Sequence, residues 1–159
     1  MIAQFNGYEI SPVHTGDTWK ICDLVVANED RFKRYFPETL KQNLNPILSQ
    51  YFVESKVKAF KNKELFLFTL KHSKTRQLAG LIYIKELDWN IKQGEFAYCI
   101  DYNFENKGCQ NFVIWTLKKS KCRACQNGVM RIWHKKCPKL SNLMINIMVK
   151  LTGCSGISF

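Results

Sequence analysis

The last 51 residues, 109–159, contain no aspartate or glutamate. All 13 acidic residues lie before Gly108, so the formal charge of +11 divides into +2 over residues 1–108 and +9 over the rest. No apolar run approaches the roughly 18 residues that a membrane helix requires. The N-terminus, MIAQFNGYEIS, has neither the basic start nor the apolar stretch of a signal peptide, which favours a soluble, cytoplasmic protein. Prolines number four, and there is no internal repeat, low-complexity tract or interdomain linker. The seven cysteines are an odd number, and without a secretion signal reduced thiols are the default.

What is present is a core-forming composition. Hydrophobic residues make up 46% of the chain and aromatics 13%. One domain of 159 residues buries about two thirds of its unfolded surface. The basic surface favours anionic partners such as a nucleotide, a nucleic acid or an acidic protein face.

Periodicity divides the chain in two. YEISPV (8–13) alternates as a short strand closed by Pro12. A helix started by Thr15 or Asp17 follows, with Trp19, Ile21, Leu24 and Val25 on its apolar face, and RFKRYF (31–36) extends it or forms a second short helix. Asn45-Pro46 is a sharp helix start, because asparagine caps and proline suits the first helical position. The stripe Ile47, Leu48, Tyr51, Phe52, Val57 and Phe60 carries that helix to about Lys61. From Glu64 the period shortens: 64–71, 78–88 and 94–102 read as three antiparallel strands joined by short polar turns. FVIWTLKK reads as a helix, 129–134 as a strand and 141–151 as a helix, with one more strand at the end.

This order, with a glycine-bearing loop after the strand over 94–102, resembles the GNAT acyl-CoA N-acyltransferase superfamily. QGEFAYCIDYNFENKG (93–108) is similar to the branch that includes ribosomal-protein N-terminal acetyltransferases, in which a Glu-x-x-Tyr strand precedes a polar, glycine-containing loop. LAGLIYIKELDWNIKQGEFAY (78–98) matches the family's central hairpin, with glycine entering its third strand. The likeness covers most of 8–108 and rests on element order beyond. It implies a single α/β (α+β) domain over 1–159: a mixed, mostly antiparallel central sheet flanked by helices, a splayed fourth and fifth strand pair, and a truncated C-terminal hairpin.

The resemblance also implies a chemistry. An acyl-pantetheine arm would bond backbone in the gap beside the fourth strand, at Ile100 and Tyr102. Its pyrophosphate would lie at the following helix start, on Glu105, Asn106, Lys107, Gly108, Cys109 and Gln110, where unpaired N–H groups and the helix dipole favour negative charge. Lys107 would add a positive charge, and Glu105 would have to point away. The family loop runs Gln or Arg, two residues, Gly, one residue, then Gly or Ala. Gly108 fits one glycine, Asn103 or Asn106 stands where a basic, amide or glycine residue belongs, and Gln110 replaces the small residue. Asn142 aligns with an asparagine that caps the late helix.

Acetyl-CoA is thus the expected co-substrate and a primary amine the acceptor, such as a protein N-terminus. Glu95 is the candidate general base and Tyr98 a second candidate catalytic residue. Three residues apart on a regular strand, they face opposite sides unless a bulge intervenes. Tyr35, Phe36 and Trp89 are candidate groove walls. The family's usual general acid, a tyrosine on the late helix, has no counterpart in SNLMINIMVKLTGC.

Two other classes compete: a non-catalytic CoA-binding protein of the same fold, and a basic zinc or nucleic-acid module in the tail. For the latter, Cys122, Cys125, His134 and Cys137 read C-x2-C-x8-H-x2-C, four soft ligands of the kind that close a tetrahedral zinc site. The acetyltransferase reading expects no metal, no membrane and no nucleic acid. The charge break at Gly108 also raises the expectation that the residues from about 109 derive from an altered reading frame or a degenerated gene end.

Overall fold

The computed structural model describes residues 3–5, 7–88, 93–105 and 129–132. In chain order the strands are β1 (Ala3–Phe5), β2 (Tyr8–Pro12), β3 (Phe66–His72), β4 (Leu78–Asp88), β5 (Gln93–Ile100) and β6 (Val129–Ile132). Four helices lie between β2 and β3: α1 (Thr18–Ala27), α2 (Glu29–Tyr35), α3 (Pro37–Lys41) and α4 (Pro46–Lys61). The six strands form one sheet in sequence order, and every described pairing is antiparallel.

Local chemistry sets the boundaries. His14 Nδ1 accepts from the Gly16 N–H at 3.1 Å and Asp17 accepts from the His14 N–H at 3.2 Å, a reciprocal cap that turns the chain out of β2 into α1. Asn45 accepts from the Leu48 N–H at 2.9 Å with Pro46 in the first turn, as its sequence predicts. The spacing Ile21, Leu24, Val25 seats α1 on the sheet, and Phe32 does the same for α2; all four are buried. Each contributes on the order of 1.5–3 kcal/mol of burial.

Strand β3 is buried from Phe66 to Lys71 on both faces. One face, with Leu67, joins Leu81, Tyr83, Ala97 and Cys99 to the helices in one core cluster. On the other, Phe60 at the end of α4 meets Phe66 and Phe68 edge to face at 4.9 and 5.5 Å.

The strand over 8–12, the three-stranded meander, α1, α2 and α4 fall where periodicity places them. Strand β1 and helix α3 were not expected. Strand β1 pairs Phe5 with Tyr8, and Gly7 just before β2 takes φ +82°, which glycine adopts without strain. Helix α3 starts on Pro37, immediately after the RFKRYF segment, with the proline in its first turn. The expected helices over 112–119 and 141–151, the final strand and the C-terminal hairpin lie outside the described residues.

Candidate active site

Strand β5 carries the site. Its register with β4 runs unbroken from Gly80↔Ile100 to Lys85↔Glu95, and the irregularity lies beyond, between Lys85 and Asp88. There Glu86 takes φ +51°. No bulge therefore separates Glu95 from Tyr98, and the two face opposite sides of the sheet. Glu95 shares the helix-covered face with Ala97 and Cys99, whereas half-buried Tyr98 shares the other with Ile100.

Glu95 is buried, with its carboxylate 2.9 Å from Lys85 Nζ directly across the sheet. Beside it on this face, Tyr83 is buried, 3.2 Å from Thr39 Oγ1, and stacked on Phe36 at 5.8 Å. Burial pushes the Tyr83 hydroxyl well above its ordinary range. Phe36 thus packs against the core, Tyr35 is exposed, and Trp89 lies outside the described residues.

The outer edge of β5 is the second feature. Among the described residues, strand β6 pairs with Gly94–Ala97 of β5. The Asp101 N–H donates to the Ala79 carbonyl at 2.9 Å, so Gly80 and Ile100 form a non-hydrogen-bonded pair. The backbone N–H and C=O of Ile100, and by alternation those of Tyr98, are directed away from β4. The chain leaves β5 through a turn over Tyr102–Phe104, in which Asp101 Oδ1 accepts from the Asn103 N–H at 2.8 Å.

Two residues at the junction of α1 and α2 hold this exit. Asn28 is buried, donates to the Leu24 carbonyl at 2.8 Å and accepts from the Tyr102 N–H at 3.0 Å. Arg31 donates to the Ile100 carbonyl, pairs with the Glu105 carboxylate and stacks 4.0 Å from the Tyr102 ring centroid. Burial alone would lower the Arg31 pKa, but its hydrogen bond and charge interaction with Glu105 leave it raised. Cys99, under this junction, has its thiol pushed up to about 12 by burial, against the opposing charge of Arg31.

Of the sequence-derived candidates, the structure brings Ile100, Tyr102 and Glu105 together at the end of β5, with Tyr98 one alternation upstream. Glu105 is turned onto Arg31. Asn106, Lys107, Gly108, Cys109, Gln110 and Asn142 lie outside the described residues, as do Cys122, Cys125, His134 and Cys137. Among the described residues no cluster of His, Cys, Asp or Glu could hold a metal ion, and no helix is long and apolar enough to cross a membrane. A groove of about 510 Å³ runs beside the exit, lined in part by Lys20, Asp23, Arg76, Asp101 and Asn103. It includes neither Glu95 nor Tyr98. Asn28 and Arg31 were not singled out from sequence, since nothing local to RFKRYF says that its arginine meets a glutamate 74 residues on.

The strand order, the helices inserted after β2 and the long β4–β5 hairpin define the GNAT acetyltransferase fold. The structure is similar to that of a ribosomal-protein-S5-alanine acetyltransferase from Vibrio fischeri, at 15% identity and a TM-score of 0.61, over 74% of this chain and 67% of that one. It is similar also to a ribosomal L7/L12 α-N-protein acetyltransferase in complex with coenzyme A, at 11% identity and a TM-score of 0.63, over 76% and 68% of the two chains. A third neighbour is the microcin C7 self-immunity acetyltransferase in complex with acetyl-CoA and AMP, at 18% identity and a TM-score of 0.61, over 72% and 62%. The chain spans about two thirds of the length of these neighbours, and at such identities the likeness is one of fold. No family model and no curated protein matches the sequence significantly.

Proposed function

We propose that this protein is an N-acetyltransferase that moves the acetyl group of acetyl-CoA to a primary amine, with a protein or peptide N-terminus as the acceptor. One observation carries the reading: within a GNAT fold, the backbone N–H of Ile100 is directed away from β4, its carbonyl is held by Arg31, and the strand runs directly into the turn that begins after Asp101. An outward N–H of this kind suits an amide-bearing pantetheine arm, and the helix start expected from sequence beyond the turn would suit its pyrophosphate. Two of the neighbouring structures were solved with coenzyme A or acetyl-CoA, and two neighbours act on ribosomal proteins. An acceptor of that kind, with reduced thiols, fits a cytoplasmic setting, which belongs to this proposal.

In this reading the neutral amine attacks the thioester carbonyl, the new C–N bond forms and the C–S bond breaks. The amine proton passes to Glu95, directly or through water, and coenzyme A leaves as thiolate. Lys85 fixes the position of the Glu95 carboxylate. Because Tyr98 faces the opposite side from Glu95, its role is on the cofactor side, through its backbone and half-buried ring. The same reading assigns Asn106, Lys107, Gly108, Cys109 and Gln110 to the phosphate loop and Asn142 to the late-helix cap, and it calls on no metal.

Calorimetric titration with acetyl-CoA, followed by mass spectrometry of a mixed N-terminal peptide set, tests the reading. Binding and α-amine acetylation support it, and binding without transfer selects the non-catalytic alternative. Absence of binding overturns both.

A further inference from the structure

The start of the candidate loop presents a contradiction in charge. In the proposed reading a carboxylate, Glu105, stands at the start of the segment assigned to the coenzyme's pyrophosphate. The described residues contain its resolution. Arg31 makes three contacts at once, to the Ile100 carbonyl, the Glu105 carboxylate and the Tyr102 ring. Asn28, three residues earlier, bonds the Tyr102 N–H and is itself tied to Leu24. The junction of α1 and α2 therefore grips positions 100, 102 and 105 through two side chains.

We propose that Arg31 is a positioning residue for the coenzyme: it fixes the exit of β5 and neutralises Glu105, so that the loop receives a pyrophosphate without a facing negative charge. The proposal rests on the acetyl-CoA reading above and adds a residue and a charge device to it. Arg31 has the right chemistry for both tasks. Its planar fork serves a carbonyl and a carboxylate together and keeps a face for the ring, which a lysine cannot do. With only a fifth of its side chain exposed, the guanidinium is screened less than a surface charge. Removing it would leave the Glu105 charge uncompensated and the Tyr102 turn without its stacking partner.

The test has two arms on the full-length protein. In the first, hydrogen exchange is followed without ligand at amides 101–105 in wild type and Arg31→Met. Exchange there is expected to quicken about tenfold while β3 is unchanged; equal rates overturn the clamp. In the second, coenzyme A affinity is measured for wild type, Arg31→Met, Glu105→Gln and the double variant. Arg31→Met is expected to weaken binding about tenfold, Glu105→Gln to preserve or tighten it, and the double variant to recover most of the loss, a non-additivity that marks a coupled pair. Losses that simply add, or a weaker Glu105→Gln, overturn the charge role. Arg31→Lys, which keeps the charge without the fork, separates the two tasks: partial affinity with fast loop exchange is expected, and wild-type behaviour in both overturns the need for the fork. A quickened loop in Arg31→Met with no coenzyme A binding by wild type would instead sink the acetyl-CoA reading and leave the clamp standing.

Discussion

Glu95 on β5 and Lys85 on β4 stand directly opposite each other, with 2.9 Å between Lys85 Nζ and the carboxylate. The carboxylate is 7% exposed and the ammonium 38%, so the pair opens to solvent on the lysine side only. A cross-strand pair of this kind holds a carboxylate in one place on the helix-covered face, as a base needs. Glu95→Gln keeps the shape and removes the proton acceptor. Transfer is expected to slow by about 100-fold or more, with coenzyme A affinity within about twofold of wild type. An unchanged rate removes Glu95 as the base.

Lys85→Met removes the cross-strand ammonium that pairs with this buried carboxylate. Because the ammonium is over a third exposed, solvent screens the pair, and the loss of stability is expected to be about 1–2 kcal/mol by denaturant titration rather than that of a fully buried pair. A change under about 0.3 kcal/mol would show that the pair is not formed in solution.

Gly80 tests the closeness of β4 and β5 at the site. A Cβ there would lie 2.4 Å from the Cys99 carbonyl oxygen and 3.3 Å from the Ile100 Cα, both backbone atoms that cannot step aside alone. Gly80→Ala is expected to destabilise by about 1–3 kcal/mol and to weaken coenzyme A binding, since the strands must separate where Ile100 presents its outer edge. Asn45→Ala serves as the contrast. It removes the α4 cap at a cost of about 1 kcal/mol and leaves transfer unchanged.

The buried thiol of Cys99 gives a pH signature. In the unfolded chain it loses its proton near 9.0, and in the fold only near 12. Between these values the unfolded state binds fewer protons, so stability is full below about pH 9 and falls as pH rises toward 12. The fall is up to about 1.4 kcal/mol per pH unit for one such group. Tyr83, also raised by burial, acts in the same sense. Denaturant midpoints across this range should show a shallower slope in Cys99→Ala than in wild type; equal slopes would remove Cys99 from the effect.

The meander was legible because β3, β4 and β5 are long apolar runs bounded by polar turns, and α4 because Asn45-Pro46 announces its start. Strand β1 was hidden by its length of three residues, and α3 by Pro37, which serves there as a first-turn residue rather than a stop. Within the site, the opposite faces of Glu95 and Tyr98 follow from a period of two, and the unbroken register confirms that arithmetic. The Arg31 contacts were not legible, because a pairing across 74 residues has no local signature. Glu105 illustrates the difference: the family resemblance asks only that it turn away from the expected pyrophosphate, and the fold shows that it turns toward Arg31.

The most direct measurement is transfer itself. Full-length protein is incubated with acetyl-CoA and peptides bearing free or blocked N-termini, and the products are read by mass spectrometry with release of free coenzyme A followed in parallel. One acetyl group on the α-amine of the free peptides, with stoichiometric coenzyme A release and strong loss of both in Glu95→Gln, is the expected result. No acetylated product and no coenzyme A release above the protein-free control would contradict the account.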